Sequence, residues 1–467
     1  MSRTEAISKA SAYFDDGRFK DTLARRVAVR TESQEAGSTP ILLAYLEEQI
    51  VPELSAQGFN CQIVANPQAG ASPFLLAERI EQGAAFTVLT YGHGDVVRGY
   101  DKQWRSGLNP WEIVVEGDRW YGRGAADNKA QHTINFAALA QVLAVRQGKL
   151  GYNVKVILEM GEEIGSPGLK EICALHAERL AADVFIASDG PRVAAAKPTM
   201  FLGSRGGCNF DLRVKLRDGA HHSGNWGGLL RNPGVRLANA IASLVDAKGC
   251  IRVAQLLPDS LPQSVRDALD GVEVGGAAGD PEVDSDWGEP GLSPAERVFG
   301  WNTLEVLAMK TGNPEAPVNA IPGHAFAHCQ IRYVVGSDSK NFLAHIRSHL
   351  DAHGYDDVEV QPSGTRFEAT RLDPDDAWVR WGLASIQRTT GSAPTLLPNL
   401  GGSLPNDVFA DVLGLPTLWV PHSYPACSQH APDEHILASV SRQSLQIMAG
   451  MFWDLAEEGG QVHAQRK

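Results

Sequence analysis

Three apolar runs, TVLTYG (87–92), VKVILEM (154–160) and VFIAS (184–188), each break into a short loop that carries glycine with acidic or histidine residues: HGD, GEE and DG. Runs that are apolar on both strand faces must be covered on both faces, which calls for helices on either side of a largely parallel sheet. In such a wound α/β fold the loops at the carboxyl ends of the strands converge, so the chemistry of the chain should gather there. Helical spacing over 21–57 and an apolar stripe over 128–146 supply covering helices. CQIVA and FLLAERI read as further strands, and so does DRWY ahead of the second helix.

Past Arg205 the pattern changes. CNFDLRVKLRD alternates with period two, NPGVRLANAIASLVDAKG is helical, HAFAHCQIRYVVG alternates again, KNFLAHIRSHLDAHG is amphipathic and DVEVQPSG is a short strand. This order predicts a small open-faced α+β sandwich of β-α-β-β-α-β type, with one strand not placed. The stretch 257–295, rich in Pro, Gly and Asp, reads as an irregular excursion too polar to build core. After about 373 the α/β pattern returns with AWVRWGLASIQRTTG, the glycine-rich NLGGSLPND, the strand PTLWV and a closing helix over 437–457. The expected fold is therefore a wound mixed-sheet α/β domain made of residues 1–204 and 369–467, with an inserted α+β domain over 205–368.

A chain of 467 residues has room for two or three domains. It carries 42 Lys plus Arg against 55 Asp plus Glu, a net charge of −13. That balance disfavours nucleic acid or an anionic membrane as partner and suits small polar or charged solutes. No run approaches the length of a membrane span, and the polar opening MSRTEAISKA has no apolar core segment, so a soluble cytoplasmic protein is expected. Six cysteines, scattered singly without CxxC, argue for reduced thiols and against a thiolate metal site.

Seven residues fall where strands give way to loops: His93 and Asp95, Asp127 in GRGAADNK, Glu162 and Glu163, Asp189, and His430 in SQHAPDEH. Each has an ordinary reading: a turn for His93 and Asp95, a helix cap for Asp127, a Gly-Pro turn for Asp189, a surface loop for His430. Glu162 and Glu163 are harder to dismiss, because two like charges beside a buried strand repel unless a cation or a proton compensates. Nitrogen and oxygen donors without thiolate suit zinc, cobalt or manganese, and five ligands serve two cations if one carboxylate bridges them. Other chemistries lack support, since neither G-x-G-x-x-G, G-x-x-x-x-G-K-[ST] nor G-x-S-x-G occurs and the aromatic residues are dispersed.

GHGDVV, GRGAADNK and MGEEIGSPG, in this order and together with the inserted domain, resemble the motifs of the dinuclear zinc peptidases and deacylases that include carboxypeptidase G, acetylornithine deacetylase, succinyl-diaminopimelate desuccinylase and carnosinase. HSGNWGG, NAIPGHAFAHCQIR and GGSLPN are similar to the carnosinase-like dipeptidase branch, although Ala220 and Asp433 depart from its usual residues. The resemblance implies two divalent ions, zinc with manganese or cobalt as alternatives. It implies Asp127 as the bridge, His93 and Asp189 completing one site, and Glu163 and His430 the other, with His430 chosen over His435. It also implies that Glu162 is the general base for a water shared by the two ions, and that Asp95 accepts the second ring N–H of His93. His222, with His221 as the spare, is the expected oxyanion donor, arriving from the lid of a partner subunit in a homodimer built through the inserted lid/dimerisation domain. Arg332, Ser403, Gly402 and Asn319 are candidates for holding the substrate, with Arg332 on its carboxylate. The expected activity is cleavage of a dipeptide or related small amide bearing a free carboxylate. An N-acyl amino acid deacylase and a non-catalytic metal-containing binding protein are the alternatives.

Overall fold

The computed structural model describes residues 1–276, 280–364 and 366–466, so residues 277–279 of the polar excursion lie outside the described residues. Among the described residues, eight strands form the main sheet. From edge to edge they are Asn60–Val64, Phe74–Arg79, Asn153–Glu159, Thr87–His93, Val184–Ala187, Thr417–Trp419, Thr199–Phe201 and Thr395–Leu397. The four strands in the middle run parallel, whereas Phe74–Arg79 and Thr199–Phe201 meet them antiparallel.

Both faces of this sheet are covered. Val154, Val156, Leu158, Val184 and Ile186 face one core cluster, and the residues between them, Ile157, Phe185 and Ala187, face the other. The alternating side-chain directions of a strand thus feed two cores from one apolar run. The first core is closed by helices Lys129–Val145, Ala377–Thr390 and Ala438–Arg466. Lys129–Val145 is buried on nearly every side, not along one stripe as its spacing predicted, because helices pack on the faces turned away from the sheet. DRWY does not join the main sheet. Arg119–Tyr121 lies between Val114–Glu116 and His435–Leu437 in a separate three-stranded sheet.

The inserted part has the expected order: strand Gly206–Lys215, helix Pro233–Leu244, strands Thr303–Thr311 and His324–Tyr333, helix Phe342–Ala352 and strand Val358–Pro362. The missing strand is Thr303–Thr311, which forms one edge of this antiparallel four-stranded sheet. One addition and one correction concern composition. The opening segment is helical, Arg3–Asp15, and buries only its small residues Ala6 and Ala10, so it lacks the large apolar signal. Part of the 257–295 excursion does build core, since Leu261, Val265 and Leu269, spaced four apart along Gln263–Leu269 and its approach, are buried in the second cluster.

Candidate active site

The parallel strands end at one edge of the sheet. His93 is the last residue of its strand, a 3₁₀ turn Glu162–Ile164 follows Asn153–Glu159, and Asp189 stands just past Val184–Ala187. Two glycines let His93 reach its place. A Cβ on Gly92 would lie 2.9 Å from the His132 Cβ, and one on Gly94 2.6 Å from the Tyr45 ring. Asp127 precedes Lys129–Val145, but its side chain does not cap that helix and turns instead to two histidines.

Two groups of donors result, each able to hold a metal ion: His93, Asp127 and Asp189, and Asp127, Glu163 and His430. Asp127 belongs to both. Its Oδ1 lies 3.0 Å from His93 Nε2 and its Oδ2 3.1 Å from His430 Nε2. His93 Nε2 is 3.7 Å from Asp189 Oδ2, and His430 Nε2 is 3.0 Å from Glu163 Oε2. Asp189 Oδ2 is buried without a hydrogen-bond donor among the described residues. His435 is elsewhere, held between Tyr424 Oη at 2.6 Å and the Asp433 carbonyl at 2.9 Å. The loop that presents His430 is strained, for Ser428, His430 and Asp433 all have left-handed backbone conformations.

The electrostatics show a cluster short of positive charge. Burial pushes Glu163 up to about 7 and Asp189 up to about 6, with the Asp127 charge adding to both. Burial also raises Glu162 well above the usual carboxylate range, helped by Asp189 and Glu163. Burial opposes the charged form of His430, but its bonds to Asp127 and Glu163 prevail and push it up to about 11. Burial works to raise Asp127 too, yet hydrogen bonds from His430 and His93 bring it below its ordinary value. Protons on the two imidazoles supply the charge that divalent cations would supply better, and the donor set, nitrogen and carboxylate oxygen without sulfur, fits such ions.

Glu162 lines the same cavity as Asp127, Asp189 and His430, and its carboxylate receives no hydrogen bond among the described residues. Asp95 lies behind the site. Its two carboxylate oxygens accept the peptide N–H groups of Glu162 and Glu163, each at 3.1 Å, while His93 Nδ1 is 3.1 Å from the Asp95 carbonyl and 3.4 Å from its carboxylate. Asp95 therefore fixes two loops, not one ring alone. Arg332, Gly402 and Ser403 line the cavity as well, and Arg332 donates to Ser403 Oγ at 2.6 Å and to Gln330 Oε1 at 2.9 Å. His222 and Asn319 are exposed and do not line it. They sit on the two-stranded pair of His221–His222 with Ala320–Ile321, where the Asn319 carbonyl accepts the Ser223 N–H.

Two residues at the site went unassigned in the sequence. Gln429 donates to Asp127 Oδ2. Glu434, fully buried, accepts Arg123 Nη1 at 2.7 Å and the peptide N–H groups of Gly124, Ala126 and Asp127 at 3.1, 2.8 and 3.1 Å. The available signal was one arginine and one glutamate in two separate motifs, GRGAAD and HAPDE.

The family model for peptidase family M20/M25/M40 matches residues 89–454. The chain is 27% identical to a cysteinylglycine-S-conjugate dipeptidase of Corynebacterium striatum, over 73% of this chain and 75% of that enzyme. It is 35% identical to the Beta-Ala-His dipeptidase of Mus musculus over a shorter match, 41% of this chain and 39% of that enzyme. In fold it is similar to an M20 family metallo-carboxypeptidase of Sulfolobus solfataricus, with a TM-score of 0.79 at 23% identity, covering 94% of this chain and 99% of that one. With residues 89–454 matched, and with the site drawn from that span, the chain belongs to the M20/M25/M40 family of peptidases.

Proposed function

We propose that this protein is a dinuclear metallo-dipeptidase that hydrolyses the amide bond of small peptides bearing a free carboxylate. The observation that carries the reading is the pair of donor groups sharing Asp127, with Glu162 on the wall of the same cavity. His93, Asp127 and Asp189 would hold one ion, and Asp127, Glu163 and His430 the other. Zinc suits these donors, and manganese and cobalt suit them as well. When bound, such a pair supplies Lewis acidity for the carbonyl and for water at neutral pH.

The chain does the rest. Glu162, whose carboxylate receives no hydrogen bond among the described residues, takes a proton from the attacking water and returns it to the leaving amine nitrogen. Arg332 pairs with the substrate carboxylate, with Ser403 Oγ and the Gly402 N–H beside it. Arg332 has no carboxylate partner of its own among the described residues, which leaves its charge for the substrate. Names of relatives point the same way, since both curated enzymes described above are dipeptidases.

His222 acts as oxyanion donor in a second copy of the chain, and the dimer forms through the inserted domain, residues 205–368. The edge strand Thr303–Thr311 supports this, because it exposes Val306, Leu307 and Met309 along an unpaired sheet edge. The six cysteines, all unpaired, fit a reducing, cytoplasmic setting.

The test is Glu162→Gln. Dipeptide hydrolysis should fall by about 10²- to 10⁴-fold while elemental analysis still finds two ions per chain. Unchanged turnover would remove Glu162 from the mechanism. Absence of hydrolysis by metal-loaded wild type across dipeptides and acyl amino acids would leave a binding protein instead.

A further inference from the structure

The cavity that holds Glu162 has a volume of about 650 Å³. One end is acidic, at Asp127, Asp189 and Glu162, and Arg332 and Ser403 mark another. A third region is mostly apolar: Val274, Val283, Phe299, Leu397, Leu400 and Leu404, with Asp280 on the same segment as the two valines. Four of these, Phe299, Leu397, Leu400 and Leu404, are buried members of the second core, and Val274 packs on it, so the wall is anchored. Val283 differs, being 50% exposed. It leans on Gly275, where an added Cβ would lie 3.2 Å from Val283 Cγ2. An aliphatic group left wet on the wall of a reaction cavity gains free energy when something apolar fills the space beside it.

The position of the wall says which part of a substrate it meets. A Cβ on Gly401 would lie 3.6 Å from the Phe299 ring and 3.1 Å from Val298 Cγ1. Two residues on, Ser403 Oγ receives the Arg332 guanidinium. The apolar wall therefore adjoins the carboxylate-holding end. Val274 and Val283 come from the 257–295 excursion, so this irregular segment contributes to the reaction cavity.

We propose that this wall is a subsite for a bulky apolar side chain on the residue that bears the free carboxylate, making dipeptides that end in residues such as leucine or phenylalanine the preferred substrates. The proposal rests on the dipeptidase reading above, with Arg332 on the carboxylate. A terminal glycine leaves the wall wet, and a terminal aspartate places a second anion against apolar groups.

The experiment measures kcat/KM of the zinc-loaded enzyme on Ala-Leu, Ala-Phe, Ala-Gly and Ala-Asp, which share the acyl half and vary only the leaving residue. Ala-Leu and Ala-Phe should exceed Ala-Gly by about 10- to 100-fold, the worth of burying such a side chain. Ala-Asp should fall below Ala-Gly. Val283→Asp, at a half-exposed position, should lower the Ala-Leu to Ala-Gly ratio by about tenfold, and Phe299→Ala should lower it as well. Because a ratio on one preparation does not depend on how much of it is folded, loss of stability cannot mimic the result. Comparable rates on all four dipeptides, or a ratio unmoved in both variants, would overturn the subsite and leave the dipeptidase reading standing. Failure to cleave any of the four would overturn the dipeptidase reading, and the subsite with it.

Discussion

Glu159 ends the strand that delivers Glu162 and Glu163, and its carboxyl group is fully buried. Tyr91 Oη and Ser166 Oγ donate to its Oε1 at 2.7 and 2.9 Å, and Oε2 is buried without a partner among the described residues. Burial, reinforced by the Asp95 charge, pushes the group from 4.5 up to about 7. A carboxyl raised by folding contributes stability that is whole below about pH 4.5, where both states are protonated, and that is lost as pH rises towards 7. Glu159→Gln removes the titration and keeps an acceptor for Tyr91. In chelator-treated protein, melting curves at pH 5 and pH 8 should show the variant gaining on wild type with rising pH, by the equivalent of about 2–3 kcal/mol. A difference that does not change with pH would show that folding leaves the Glu159 pKa where it was.

Between elements, Glu434 joins two loops that arrive from opposite ends of the chain. Its bonds to Arg123 and to the peptide groups before Asp127 fix the carboxylate shared by both donor groups. Glu434→Ala strands the buried Arg123 charge, a loss of about 3–5 kcal/mol. A thermal melt should register it, and metal content should fall as Asp127 is released. Glu434→Gln keeps acceptors for part of the network and should lose less. Variants with wild-type melting and metal content would deny the joint any such role. At this scale the sequence was legible where one element declares itself. The apolar strands with polar ends located His93, Glu162, Glu163 and Asp189, and period two located most of the inserted sheet. Thr303–Thr311 hid because its pairing shifts register between Val306 and Ala308, which breaks the alternation. The helix Gln263–Leu269 hid inside a Pro, Gly and Asp background, and the work of Glu434 hid because its partner Arg123 is 311 residues away.

At the scale of the whole molecule, the proposed dimer accounts both for the exposed edge of the inserted sheet and for the position of His222 outside the cavity lining. If His222 serves the partner's site, a chain with His222→Ala and a chain with Asp127→Ala are each inactive, and mixing them restores one intact site per heterodimer. Activity should recover to about one quarter of wild type at equal mixing, where half of the dimers are mixed and each holds one working site of two. No recovery would mean that the histidine acts within its own subunit, or not at all. The order of strands carries one more consequence. Thr417–Trp419 is threaded between Val184–Ala187 and Thr199–Phe201, and His430 follows it. Residues as far as Asp189 supply the whole of the first donor group, yet the sheet stays open and the second donor group stays incomplete until Thr417–Trp419 and His430, more than 200 residues further along, have been added. During synthesis the first donor group can therefore assemble before the second, which waits for the segment that closes the gap in the sheet.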